Sequence, residues 1–135
     1  MALVYRIMKK DADDLPIIGP TSLGVRPGVD IDVDASGDVL VNGKGMSVNS
    51  AWRTINVNRI PKRLRHLVLG AGGSNNSFCF RFGEGDFVQS TFADGLTLEP
   101  DSATHANVAP ESVVPLATYE DNIAATRSQW VIDES

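Results

Sequence analysis

The side chains best suited to chemistry cluster in Gly43-Lys44-Gly45-Met46-Ser47-Val48-Asn49-Ser50-Ala51-Trp52. Gly43 and Gly45 permit backbone conformations, and a close approach, that a Cβ would block. Ser47 brings a hydroxyl and Asn49 an amide. Two residues apart on an extended strand, they share one face, while Met46 and Val48 turn toward a core. Trp52 then offers an aromatic wall beside that polar face, a composition suited to a small-molecule site. Two further residues stand out. Arg6 interrupts an apolar first strand, where buried arginine is rare unless paired. It reads either as an arginine paired to a carboxylate at a strand end or as an anion clamp on a pocket floor. His105 lies in a late strand, His105-Ala106-Asn107-Val108-Ala109-Pro110. It reads either as an ordinary strand histidine or as a neutral imidazole that orients a hydroxyl or accepts a proton.

These residues need a scaffold. Leu3 to Met8 alternates as a strand, apolar on both faces and therefore central. Residues 9–28 are rich in proline and glycine and form a long loop, a length at which loops are usually functional or mobile. Val29 to Val41 alternates apolar residues with aspartates around an Ala35-Ser36-Gly37-Asp38 turn, a hairpin signal. Asp32, Asp34 and Ser36 match the first positions of a calcium loop, but its twelfth position is Gly43 rather than a glutamate, which favours a solvated turn. Ile60, Leu64, Leu67 and Val68 have helical spacing, and Pro61 suits a first turn. The other face of that segment carries Arg59, Lys62, Arg63 and Arg65: a solvated face, or a patch for phosphate or an acidic partner. Leu69-Gly70-Ala71-Gly72-Gly73-Ser74-Asn75 lacks the third glycine and the later acidic residue of a dinucleotide loop and reads as a glycine-terminated helix end. Phe78, Phe80 and Phe82 mark a strand with an aromatic face, and Cys79 between them reads as a small buried residue. Leu116 to Val131 is the clearest amphipathic helix.

Composition narrows the classes. The 135 residues suit one domain, 1–135, with ordinary apolar (42%) and charged (21%) shares. A net charge of −5 argues against nucleic-acid affinity built on bulk charge. A single cysteine excludes an intrachain disulfide and four-cysteine zinc sites. The N-terminal residues do not resemble a signal peptide, and no apolar run reaches the roughly 18 residues that a membrane span needs. The expectation is a cytoplasmic protein without membrane insertion, or one exported into a target cell without a cleaved leader. The fold class expected is α+β: a split, twisted, mainly antiparallel sheet with peripheral helices.

Three features occur in a fixed order: Tyr5-Arg6 in the first strand, Gly45-Met46-Ser47-Val48 in a second, and His105 to Pro110 before a helix ending Arg127-Ser128-Gln129-Trp130. This order resembles a family of bacterial toxins exported by type VI secretion systems, with an ADP-ribosyltransferase-like fold. In that family the second motif is Gly-Thr-Ser-Val, so Met46 departs from it. In the wider superfamily the first-strand arginine holds NAD phosphate or ribose, the serine the nicotinamide ribose, and a later glutamate assists at the ribose; His105 stands where that glutamate is expected. The resemblance implies an NAD-directed toxin, either an ADP-ribosyltransferase or an NAD glycohydrolase. Arg6, Ser47 and His105 would be its catalytic residues, with Tyr5, Asn49 and Trp52 around the NAD cofactor. It also implies a neutralising immunity or antitoxin partner, and leaves nucleic acid open as a modification target. Two competing readings remain: a non-enzymatic β-rich binding module, and a nucleotide-binding domain with a degenerate transferase site.

Overall fold

A computed structural model describes residues 2–135. The chain is mixed α and β, mostly strand with one α-helix, and its main sheet is an antiparallel half-barrel. The strands are β1 (Val4–Lys9), β2 (Asp38–Val39), β3 (Met46–Asn49), β4 (Ser77–Phe82), β5 (Ser90–Ala93), β6 (Leu96–Pro100), β7 (His105–Pro110), β8 (Val114–Pro115) and β9 (Val131–Ile132), and α1 is Leu116–Ala124. Seven of them form one sheet in the order β5-β6-β7-β3-β1-β4-β9; β2 and β8 make a separate two-stranded pair. The first strand is near the middle of the sheet, as its two-sided apolar pattern predicts.

Alternation sorts the side chains into two cores. Val4 and Met8 of β1, Met46 and Val48 of β3, Phe80 and Phe82 of β4, and Ala106 and Val108 of β7 share one face. That face is closed by α1 through Tyr119 and Ile123, by Leu23 and Val25 of the long loop, and by Ile31 just after it. Phe82 stacks on Phe92 at 4.4 Å, with Trp130 at 5.1 Å from Phe82, so the aromatics expected in β4 do form a core face. The opposite face carries Ile7 and Cys79, covered by Trp52, Ile55, Ile60, Leu64 and Ala71 from the segment between β3 and β4.

Three expectations about elements are corrected. The helix expected from Leu116 to Val131 stops at Ala124; a 3-10 turn over Arg127–Gln129 follows, and Val131–Ile132 leaves as β9. The apolar stripe continues past the helix because Trp130 is a core residue, not because the backbone stays helical. The helix expected around Pro61 is only a 3-10 turn, Lys62–Leu64, since its apolar residues need just one turn to reach the second core. The hairpin expected over Val29 to Val41 is reduced to an isolated bridge, Val33 with Val39, and β2 pairs with β8 instead. The aspartates of that turn are already engaged: Asp34 accepts the N–H groups of Ser36 and Asp38, and Asp32 pairs with Lys44 and Asn42. Among the described residues no helix is long and apolar enough to cross a membrane, and no cluster of metal-ligating side chains occurs.

One hydroxyl ties the helix to the sheet. Tyr119 donates to the Val108 carbonyl at 2.6 Å and accepts from the Met46 N–H at 3.2 Å, standing at the Met46 end of the ladder between β3 and β7. Burial pushes the Tyr119 hydroxyl well above the ordinary tyrosine range, so it stays a donor at any physiological pH. Gly45 just before β3 is required by the same close approach: a Cβ there would lie 2.0 Å from the Val108 oxygen. Replacing Tyr119 with Phe leaves a buried carbonyl and a buried N–H without that partner. Tyr119→Phe is expected to lower unfolding free energy by about 1–3 kcal/mol, read as a lower urea midpoint with unchanged slope.

Candidate functional site

β1 and β3 pair at a single position, Tyr5 opposite Asn49. Beyond it the two strands part, whereas β1 and β4 stay in register over all six residues. Arg6 fills the parting. Its Nε donates to the Ser22 carbonyl at 2.7 Å, one terminal nitrogen to the Ser47 carbonyl at 2.7 Å, and the other reaches the Gly24 carbonyl at 3.5 Å. The guanidinium thus supplies the donors that a missing stretch of ladder would have supplied, and joins β1 to both β3 and the long loop. The loop also follows the end of β1, where the Lys9 N–H donates to the Ser22 hydroxyl and the Ile17 N–H to the Lys9 carbonyl.

A cavity of about 390 Å³ opens beside this parting, within the size range of small-ligand pockets. Lys9, Arg26, Arg59, Asp30, Ser47 and Ser74 line it together with Arg6. Four cations therefore face one carboxylate. Asp30 is engaged by Arg26, which reaches it with Nε at 3.2 Å, a terminal nitrogen at 3.1 Å and its own backbone N–H at 2.7 Å. Burial raises the Asp30 carboxyl, but the Arg26 bonds outweigh it and hold the group below the usual aspartate range. Lys9 and Arg59 form no ion pair among the described residues. Arg6 is buried, at 6% exposure. Desolvation, followed by the charge of Arg59, pulls its pKa down to about 10, with Asp30 opposing. A buried cation short of counter-charge, next to exposed cations without ion pairs, gives this cleft a positive potential.

The expected site residues divide. Arg6 and Ser47 both border the cavity, but what joins them is the Ser47 backbone carbonyl. Alternation puts the Arg6 side chain with Val4 and Met8, while the Ser47 hydroxyl lies on the other face with Asn49. The two side chains therefore do not converge on one ligand atom, as the expected trio requires. His105 is opposite Asn49 on β7, a strand further from β1, and does not line the cavity. Its Nδ1 lies 2.8 Å from Asp101. Tyr5 faces the second core beside Asn49, and Asn49 donates its amide to the Thr54 hydroxyl at 3.2 Å. Trp52 is 4% exposed, with its indole N–H donating to the Ser135 carbonyl at 3.1 Å and Arg53 over its ring. It is a core residue rather than an open stacking wall. Lys9, Arg26, Asp30, Arg59 and Ser74 are additions to the expected site. Arg59 belongs to the basic run that reads as a solvated face or a patch for phosphate or an acidic partner; Asp30 reads in the sequence as one of the aspartates that alternate along a hairpin strand.

Compared with family models, curated proteins and solved structures, the chain matches none.

The geometry makes two residues testable. Arg6→Ala strips bonds from three backbone carbonyls at the parting and is expected to cost about 2–4 kcal/mol of stability, measured by chemical unfolding. Cys79 is fully buried, and burial, then Glu134, push its thiol up to about 12. It should resist thiol reagents at pH 8 in the folded protein and react only after unfolding.

Proposed function

We propose that the cleft at the β1–β3 parting binds a phosphate-bearing nucleotide, and that NAD is the ligand. The observation that carries the reading is the cluster of Arg6, Lys9, Arg26 and Arg59 around one cavity in a protein of net charge −5, with Lys9 and Arg59 forming no ion pair among the described residues. A pyrophosphate supplies the negative charge that this arrangement lacks, and guanidinium groups bind phosphate oxygens bidentately. The order of the Tyr5-Arg6, Gly45-to-Val48 and His105-to-Pro110 motifs is what selects NAD among nucleotides. It extends the proposal to a bacterial toxin on an ADP-ribosyltransferase-like fold, exported by type VI secretion and matched by a neutralising partner.

Binding without turnover is the form that the geometry favours, because Arg6, Ser47 and His105 do not meet around a common point. Turnover, as ADP-ribosyl transfer or NAD hydrolysis, is the second reading, and one observation favours it: Asp30 is a carboxylate lining the cleft. Breaking the nicotinamide–ribose bond develops positive charge on the sugar, which a carboxylate stabilises. That task would fall to Asp30 rather than to His105, whose imidazole is tied to Asp101.

The test is a titration of purified protein with NAD, ADP and pyrophosphate, read by thermal shift, with NAD loss followed in parallel by chromatography. At a hundredfold excess over Kd, NAD is expected to raise Tm by about 5–10 °C. Arg59→Ala removes an exposed side chain that forms no ion pair among the described residues, so it should erase the shift while the free protein melts where wild type does. NAD consumption that disappears in Asp30→Asn would establish turnover; a shift without consumption leaves binding alone. No shift with any of the three anions overturns both readings.

A further inference from the structure

The cleft beside Arg6 holds hydrogen-bonding capacity that the protein itself does not use. A guanidinium has five N–H groups, and Arg6 directs three of them to the carbonyls of Ser22, Ser47 and Gly24. Two remain on a buried side chain that borders the cavity. Thr21, next to Ser22 on the long loop, and Asn58, next to Arg59, also line it. The Asn58 backbone N–H is taken by the Asn56 side chain at 2.9 Å, but the side chains of Asn58 and Thr21 bond no protein group among the described residues. Asp30 has one place open as well. A carboxylate offers about four lone-pair sites; Arg26 fills two on one oxygen and one on the other. The wall that carries Asn58 and Arg59 is fixed from behind. The Gly72 N–H donates to the Val57 carbonyl at 2.9 Å and the Gly73 N–H to the Ile60 carbonyl at 2.7 Å. A Cβ on Gly73 would lie 2.3 Å from the Arg59 oxygen, so only glycine permits that contact.

What could hold a base is absent. Among the described residues no aromatic side chain lines the cavity. Phe78, beside the lining residue Ser77, has Arg63 over its ring at 4.6 Å and Lys10 at 5.0 Å. Trp52 is buried, with Arg53 over its ring. Stacking of a base on a ring contributes roughly 1–3 kcal/mol where it occurs, and the cleft has no ring to supply it. Two of its guanidinium planes are committed too, Arg6 to backbone carbonyls and Arg26 to Asp30. At about 390 Å³ the cavity is near the lower end of ligand-pocket sizes, roughly 300–1,000 Å³. That is room for a sugar and its phosphate, not for two nucleosides.

We propose that the cleft recognises a 5-phosphorylated pentose and leaves any base outside. Resting on the nucleotide reading of the cleft, this narrows it: NAD binds through one phosphoribosyl unit, and the substrate class is phosphoribosyl compounds in general. The phosphate takes Lys9, Arg59 and the two spare N–H groups of Arg6 as charged donors, the strong kind of hydrogen bond. The sugar hydroxyls take Thr21, Asn58 and the open lone pair of Asp30. Asp30 also sets the direction of the ligand, because its charge repels the phosphate and attracts a hydroxyl.

The experiment titrates full-length protein by calorimetry with NAD, ribose 5-phosphate, inorganic phosphate and adenosine. Ribose 5-phosphate is expected to bind within about threefold of NAD and about tenfold more tightly than inorganic phosphate, while adenosine gives no binding heat. Asp30→Asn removes a negative charge, so both anions should bind it more tightly, but the gap between them should close. A purely electrostatic role for Asp30 would leave the gap as it is. Asn58→Ala, at an exposed side chain, should narrow the gap about threefold with an unchanged unfolding midpoint, which keeps the test open if Asp30→Asn does not fold. NAD binding more than about tenfold tighter than ribose 5-phosphate, or binding of adenosine, overturns the inference and leaves the nucleotide reading standing. Equal affinity for ribose 5-phosphate and inorganic phosphate, or a gap that survives in both variants, overturns it in favour of a simple anion site. No binding of any phosphate compound overturns the inference and the nucleotide reading together.

Discussion

The fold hangs on a charge placed where a strand ladder gives out. β1 pairs fully with β4 but touches β3 at one position, and the guanidinium of Arg6 takes up the carbonyls left over. Burying a cation is costly, and the cost is offset only if its donors are satisfied. Arg6 meets that condition with neutral carbonyls rather than a carboxylate, so its hydrogen bonds are made while its charge goes largely unanswered. The carboxylate of the cleft, Asp30, is held by Arg26. The sheet is closed and a positive potential is left at the opening, both from one side chain. The positive charge at the cleft is thus a by-product of how the sheet is joined.

Tyr119 acts in the same way one strand further along. At the Met46 end of the β3–β7 ladder its hydroxyl accepts from one strand and donates to the other. In both places a side chain takes up backbone groups of the sheet, Arg6 from β1 itself and Tyr119 from the helix. Each fixes another element to the sheet: the long loop through Ser22 and Gly24, the helix through Tyr119. The loop over residues 9–28 is therefore a wall of the cleft, held by β1, and Leu23 and Val25 from it complete the main core.

What the sequence makes legible is periodicity. The alternation in β1, β3, β4 and β7 identifies strands and their inward faces, since period two is fixed by the pleat. Helix length is less legible. Trp130 satisfies a helical stripe and is equally well buried after a turn, because a large ring reaches the core from either backbone path. The candidate site is legible by half for a similar reason. Arg6 is conspicuous as a charge in an apolar strand, and it is at the cleft. Asn49 and Trp52 stand close to Ser47 in sequence, yet the turn after β3 carries Trp52 beneath the sheet. His105 fits an order of motifs, and only strand pairing reveals that β3 stands between it and β1. Asp30 and Arg26 cannot be found from pattern at all, since their meeting with Lys9 and Arg59 depends on a loop path that no periodicity encodes.

Net charge misleads in this molecule because its charges are segregated. The excess of carboxylates lies outside residues 39–83, while that stretch is purely basic. With a screening length of about 8 Å at physiological salt, an exposed cation responds to its neighbours and not to the total. Arg59 at the cleft and Arg63 at the β4 edge come from one short segment, yet they differ in what they have nearby: Arg63 pairs with Glu134, whereas Arg59 pushes on the charge of Arg6. The first is a filled contact; the second adds to a charge without a counter-ion. One basic stretch therefore finds its counter-charge at the β4 edge and leaves it unmet at the cleft.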